Sequence, residues 1–256
     1  MTETIDDPVR VEPPRQSSLT VVSNVEHLAM AGRCVPSGLR GEPVAGDFFD
    51  VFGLDDSRLL IAVGDVAGHG VAVADRMIQL RADMRELALL TTSLAEVLWR
   101  LDLIQAEHAV DDIATLWLGV YDVRSGDLQH SSAGHLPLIL AGVDGRARLL
   151  SEASAPPLGT GFVGQHARVE EIQLPIGALL VAYSDGLVER PDRDLECQIE
   201  FLRGVVEESY EPGRKDVTLD ELVQSILAEL VPDLESARDD ICVLMLRRDA
   251  DDIAAP

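Results

Sequence analysis

Positive charge is what this sequence most lacks: 21 lysines and arginines stand against 45 aspartates and glutamates in 256 residues, a formal net charge of −24 at pH 7. A surface this acidic repels phosphate backbones and anionic headgroups. No basic run reverses the field locally, so neither nucleic acid nor a membrane surface is expected as a partner. Long apolar runs are missing as well. Residues 174–183 (LPIGALLVAY) fall well short of the ~20 residues that a bilayer-spanning helix needs. The amino end, MTETIDDPVRVEPPRQSS, has neither the positive start nor the apolar stretch of a secretory signal. Together these absences predict a cytoplasmic protein. Cysteine is scarce too: Cys34, Cys197 and Cys242 are far apart and form no CxxC, so no disulfide framework and no zinc site is expected, and each reads as a small core residue.

What is present suits a globular domain, with 46% hydrophobic and 26% charged residues. Residues 1–19, with Pro8, Pro13 and Pro14 and no periodicity, read as a flexible segment; 20–248 as one domain; and 249–256 as an acidic tail. Strand patterns at 27–35, 47–54 and 59–63 precede GDVAGHG. From Val71 the period turns helical, with Val73, Met77, Leu80, Met84 and Leu87 on one face. A second helix is expected from Ser93, where Glu96 completes a capping-box pattern, and a later one over 218–230, where Thr218 and Glu221 do the same. Residues 113–150, broken by Arg124-Ser125-Gly126-Asp127 and Val143-Asp144-Gly145, predict an antiparallel meander. A strand precedes Ser184-Asp185-Gly186, and a last one follows Asp239-Asp240. The balance predicts an α+β fold, mostly antiparallel sheets with helices over their outer faces.

Four aspartates stand at the edges of apolar strands: Asp47 in AGDFFD, Asp65 in VGDVAGHG, Asp185 in YSDGLVE and Asp239 in ARDDICV. Sheets bring remote strand ends together, and converging carboxylates repel one another unless positive charge sits between them. Oxygen-only ligation suits Mg²⁺ or Mn²⁺, whereas zinc would call for histidine or cysteine. Gly46, Gly64, Gly68, Gly70 and Gly186 clear space beside these acids for tight turns and backbone carbonyls. Two such cations acidify a shared water and orient it for in-line attack on phosphorus, with no nucleophilic side chain required. Aspartates also seat turns, which accounts for Asp127 and Asp144. Asp50, three positions after Asp47, falls on the opposite strand face and is left out of the site.

GDFFDVF, LLIAVGDVAGHG with its helix, IATLWLGVYD, SSAGHLPLIL, APPLG, LLVAYSDGLVE and DDICVLMLR occur in that order over roughly residues 28–247. The ordered set resembles the bacterial SpoIIE/RsbU-like branch of the type 2C (PPM) metal-dependent serine/threonine protein phosphatases. That resemblance implies a four-layer αββα sandwich holding two Mn²⁺ or Mg²⁺ ions at one edge of the paired sheets. It assigns Asp65 as the carboxylate bridging both metals and the Val66 carbonyl as a further metal contact. It makes Asp185 and Asp239 ligands from strand ends, and gives Asp47 a direct or water-mediated role. The catalytic set it implies is Asp47, Asp65 and Asp185. Secondary candidates are Asp240 beside Asp239, Gly186 of the DG pair, His69 as proton donor to the leaving oxygen, and Arg40. The eukaryotic branch carries a phosphate-contacting arginine five positions before its first acidic residue and a second acid directly before it; here Glu42 and Gly46 occupy those places.

The resemblance implies a phosphoserine or phosphothreonine protein phosphatase whose substrate is a small STAS-domain anti-sigma-factor antagonist in a partner-switching pathway. Fewer than about 30 residues precede the motifs, too few for a sensor domain, which leaves regulation to a partner, a homodimer or expression. Two rivals carry different expectations: a pseudophosphatase that binds a signalling partner without turnover, and a hydrolase of small phosphoesters with no preference for phosphoprotein. With no GxSxG, and with Ser184 in a metal-type SDG turn, a serine-triad hydrolase is not expected.

Overall fold

The computed structural model describes residues 19–25, 27–37, 46–68, 70–108, 113–214, 216–234, 237 and 239–250. Strands β1 (Leu19–Val25), β2 (Leu28–Val35), β3 (Phe48–Gly53) and β4 (Arg58–Val66) lead into helices α1 (Val71–Leu90) and α2 (Leu94–His108). Strands β5 (Ala114–Asp122), β6 (Asp127–Ala133), β7 (Leu138–Ala141), β8 (Ala147–Leu150) and β9 (Ser154–Ala155) follow, then α3 (Val163–His166), β10 (Glu170–Gln173) and β11 (Leu179–Tyr183). A 3₁₀ turn at Asp185–Leu187 precedes α4 (Leu195–Ser209), α5 (Leu219–Leu230) and β12 (Ile241–Arg248).

The strands form two sheets, β1-β2-β12-β11-β7-β8 and β10-β6-β5-β4-β3, antiparallel throughout except that β9 pairs in parallel with β6. Period-two alternation splits each central strand between two cores. Ile241, Val243 and Met245 of β12 pack under α4 and α5, while Cys242, Leu244 and Leu246 face the other sheet. In β4, Ile61 and Val63 point into the space between sheets, and Leu60 and Ala62 lie beneath α1 and α2. Three apolar layers therefore separate four layers of structure, helices outside and sheets within, as the α+β αββα expectation requires.

The helices follow their periodicity. Val73, Leu80, Met84 and Leu87 of α1 are buried, with Met77 at the edge of the same cluster. The capping box of α5 is complete. At α2 only half of it forms: the Glu96 amide donates to Ser93 Oγ at 3.3 Å, but the Glu96 carboxylate accepts from Thr91 and Arg100 instead of closing on the cap. Two buried acids tie the outer layer to its sheet. Asp50, on β3, accepts from Arg85 Nε at 2.7 Å and lies 3.5 Å from Arg81, both on α1, which places it away from the other acids as expected. Asp102 of α2 is fully buried and accepts from the amides of Gly159, Gly161 and Val163 at 2.9, 3.0 and 3.0 Å.

Several expectations need correction. The stretch 113–150 is not one meander: β5 and β6 belong to one sheet, β7 and β8 to the other. The chain changes sheets at Gly134-His135-Leu136-Pro137, where Gly134 takes a positive φ of 69°. Helix α4 was not expected; Asp194 caps it by accepting from the Cys197 amide, and Ile199, Leu202, Val205 and Val206 form its buried stripe. Strand β1 was not expected either.

The cysteines also depart from the sequence reading. Cys34 and Cys242 are direct partners in the β2–β12 register. The N–H and C=O of Cys242 both engage Ser184, at 2.8 and 2.9 Å, so toward β2 the pair is non-hydrogen-bonded, the position where side chains approach most closely. Their Cα atoms are 4.1 Å apart and the sulfurs are paired as a disulfide across 208 positions, a bond that an oxidising compartment keeps and a reducing one opens to two neighbouring thiols. Cys197 is exposed, not a core residue. No helix among the described residues is long and apolar enough to cross a membrane.

Candidate metal centre

Each acid reaches the site from a strand terminus. Asp47 directly precedes β3, Asp65 is the penultimate residue of β4, Asp185 follows β11 by two positions, and Asp239 stands two before β12. Pairing of Phe48 with Gly64 and of Tyr183 with Val243 brings these termini to one edge of the sandwich. One carboxylate oxygen from each of Asp47, Asp65 and Asp185 lies within 4.8 Å of the others.

The electrostatics there are adverse to three bare carboxylates. Burial pushes Asp47 well above the ordinary carboxylate range, and the charge of Asp65 pushes it further, while a hydrogen bond from Ser184 opposes both. Burial also raises Asp65, with the charges of Asp239 and Asp240 adding to it and a hydrogen bond from Asp47 opposing. Asp185 is pushed up to about 6 by burial and then by the charges of Asp65 and Asp239. Without a cation, burial and mutual repulsion therefore both oppose full ionisation of the cluster. Asp47 Oδ2 and Asp185 Oδ1 are buried and have no hydrogen-bond partner among the described residues. Orphaned acceptors cost roughly 1–3 kcal/mol each, more when charged, and a hard divalent cation is the partner that an all-oxygen donor set selects. The residues fit the metals that the sequence implied.

The surrounding residues have separable parts. A Cβ on Gly46 would come within 2.5 Å of the Val66 carbonyl and 3.3 Å of Asp65 Oδ1, so only glycine lets this backbone lie against Val66 beside the acid. A Cβ on Gly186 would collide with the Asp240 carbonyl, which makes its role one of close approach. Asp240 stands next to the triad but spends its two oxygens on backbone amides, Ser37 at 2.7 Å and Gly46 at 3.0 Å, and so anchors the segment entering Asp47. Asp239 lies outside the 4.8 Å group, more exposed, and is felt there through its charge. His69 and Arg40, like Glu42, lie outside the described residues. His135 accounts for its motif structurally: Nδ1 meets Thr115 Oγ1 at 2.9 Å, Thr115 being the register partner of Asp65, and burial drops the imidazole to about 4. Sequence reasoning missed Ser184, which accepts from the Cys242 amide while bonding to Asp47; its place before Asp185 was the available signal.

Comparison with known proteins places the fold and the family. The family model described as Stage II sporulation protein E (SpoIIE) matches residues 55–249. Protein IcfG of Synechocystis sp. (strain ATCC 27184 / PCC 6803 / Kazusa) is 27% identical over 174 residues, 57% of this chain and 27% of IcfG. The RsbU and RsbW domains of Rv1364c from Mycobacterium tuberculosis share 29% identity and a TM-score of 0.78, over 93% of this chain and 64% of that one. The SiaA-PP2C domain of Pseudomonas aeruginosa shares the fold, with 21% identity and a TM-score of 0.69 over 87% of this chain and 86% of that one. The chain thus spans about a quarter of IcfG and less than two thirds of the RsbU–RsbW chain. Matched over most of its length, and carrying the acids that its sheets gather at one edge, the chain belongs to the SpoIIE family of PP2C-type phosphatase domains.

Proposed function

We propose that this protein is a Mn²⁺- or Mg²⁺-dependent phosphatase acting on phosphoserine or phosphothreonine in a protein, with a STAS-domain anti-sigma-factor antagonist as substrate in a cytoplasmic partner-switching pathway. The observation that carries the proposal is the meeting of Asp47, Asp65 and Asp185 within 4.8 Å, with buried oxygens on two of them left without partners among the described residues. In this reading Asp47, Asp65 and Asp185 hold two divalent cations, with Asp239 and the Val66 carbonyl completing the set. Bound there, the cations supply an acidified water and positive charge for the phosphoryl oxygens. The chain's part is to hold these oxygens rigid: Ser184 fixes Asp47, and Asp240 fixes the backbone that delivers it. No nucleophilic side chain is needed.

The test is a substrate comparison. Purified protein with Mn²⁺ is expected to release phosphate from a phosphorylated STAS protein at a kcat/KM at least ~10²-fold above that for p-nitrophenyl phosphate, because only the protein substrate contributes binding energy remote from the reacting bond. EDTA should remove both activities. Equal kcat/KM values would favour the small-phosphoester hydrolase, and Mn²⁺ uptake without turnover of either would favour the pseudophosphatase.

A further inference from the structure

The turn that carries Asp185 is held by a side chain with no part in the site as described. Arg190 lies three residues beyond the 3₁₀ turn, and its guanidinium folds back over it. Nη1 donates to the carbonyls of Gly186 at 3.2 Å and Glu189 at 2.6 Å; Nη2 donates to those of Leu187 at 3.2 Å and Leu230 at 3.1 Å. Three of these acceptors belong to the segment that follows Asp185 in the chain. The fourth is the last residue of α5, whose carbonyl has no acceptor role within the helix. Helix α5 packs in turn beneath β2 and β12, with Leu222, Val223, Ile226 and Leu227 in the same core as Ile241 and Val243. One planar group thus joins the Asp185 turn to the layer that supports Asp239 and Asp240.

The bond count decides what kind of role this is. The two Nη atoms carry four hydrogens, and four carbonyls take them, so Arg190 is not free to clamp a substrate phosphate. A lysine presents all its donors from one point and cannot span the turn and the helix end together. Gly186 is pressed against the Asp240 carbonyl from another direction, and the turn is thereby fixed on two sides.

We propose that Arg190 is a positioning residue for the metal centre: by fastening the Asp185 turn to the carboxyl end of α5, it sets where the Asp185 carboxylate stands relative to Asp47 and Asp65. The inference rests on the metal-dependent reading above. Residues that orient metal ligands without touching the metal typically cost 10–100-fold in affinity when removed.

The test is calorimetric titration of Mn²⁺ into the metal-free full chain, wild type beside Arg190→Met and Arg190→Lys, with thermal unfolding followed by circular dichroism in parallel. Arg190→Met is expected to bind Mn²⁺ at least 10-fold more weakly, and Arg190→Lys at least threefold more weakly, while the folded baselines match wild type. A purely structural role would lower the metal-free melting temperature and leave the affinity of the folded protein unmoved. Affinities within twofold of wild type in both variants overturn the proposal; if Arg190→Met does not fold, Arg190→Lys alone decides. Wild-type protein that takes up no Mn²⁺ overturns the metal-dependent reading and this inference together, whereas normal wild-type uptake with unchanged variants overturns this inference alone.

Discussion

Replacing Asp65 with asparagine is expected to cut metal-dependent turnover by at least ~10³-fold and, in the same protein, to raise the melting temperature measured without metal. The two effects share one cause. Asp65 contributes to repulsion in a buried cluster where Asp47, Asp65 and Asp185 all lie above the ordinary carboxylate range. A carboxyl whose folded value is raised favours folding below its unfolded value and loses that contribution as pH rises through the folded one. For Asp185 the window runs from 3.8 to about 6. At pH 7.5 the metal-free protein therefore carries the cost of ionising the cluster. The rise at Asp185 corresponds to ~3 kcal/mol against the charged form, which solvent access on the open side of the site reduces to about 1–2. Burial is the larger cause of that rise and survives the substitution, so losing the Asp65 charge relieves only a fraction of it and adds ~1–4 °C to the melting temperature of a chain this size. The gain should be larger at pH 7.5 than at pH 4, where Asp185, pushed up to about 6, is protonated. Thermal unfolding in EDTA at pH 4 and 7.5, beside a phosphatase assay with Mn²⁺, measures both effects. A variant that retains activity, or one less stable than wild type at pH 7.5, would show that these carboxylates do not form a strained metal cradle.

Asp102→Ala is expected to be strongly destabilising although it lies outside the site. Its carboxylate is fully buried on α2 and accepts three backbone amides, from Gly159, Gly161 and Val163. Hydrogen bonds to a charged acceptor contribute ~1.5–3 kcal/mol each, and truncation leaves three donors facing a cavity with no acceptor. Water entering that space recovers part of the loss, for a net cost of about 3–5 kcal/mol, comparable to breaking a buried ion pair. The melting temperature should fall by ~6–20 °C. Asp102→Asn, which keeps one carbonyl oxygen, should fall by less. Urea unfolding gives the free energies directly; a cost below 1 kcal/mol for alanine would mean that the 159–163 segment is held by other contacts.

These two aspartates mark how far the sequence could be read. Asp65 was legible because glycines flank it, an apolar strand precedes it, and its motif falls in order with six others. Asp102 lies inside a helical period with nothing nearby to announce three amide partners 57, 59 and 61 positions away. Mostly antiparallel sheets with outer helices followed from alternation and turn chemistry, and the four layers from the family resemblance, but sheet membership followed from neither: a hairpin such as β7–β8 reads the same whichever sheet it joins. The disulfide was hidden for a related reason, since pairing Cys34 with Cys242 depends on β12 inserting beside β2, a neighbour relation set by the whole topology. Helix α4 begins in a run of charges, GluArgProAspArgAsp at 189–194, that resembles a loop, and exposed Phe201 blurs its apolar stripe. Asp240 was read as a neighbour of the metal-binding acids; only the positions of the Ser37 and Gly46 amides show that it holds backbone.

The central claim is that acids from four strand ends form a seat for divalent cations, and calorimetric titration of Mn²⁺ into the metal-free chain at pH 7.5 tests it most directly. The account predicts uptake of two ions per wild-type chain and at least 100-fold weaker uptake by Asp65→Asn. No binding at millimolar Mn²⁺, or equal binding by the two proteins, would contradict it.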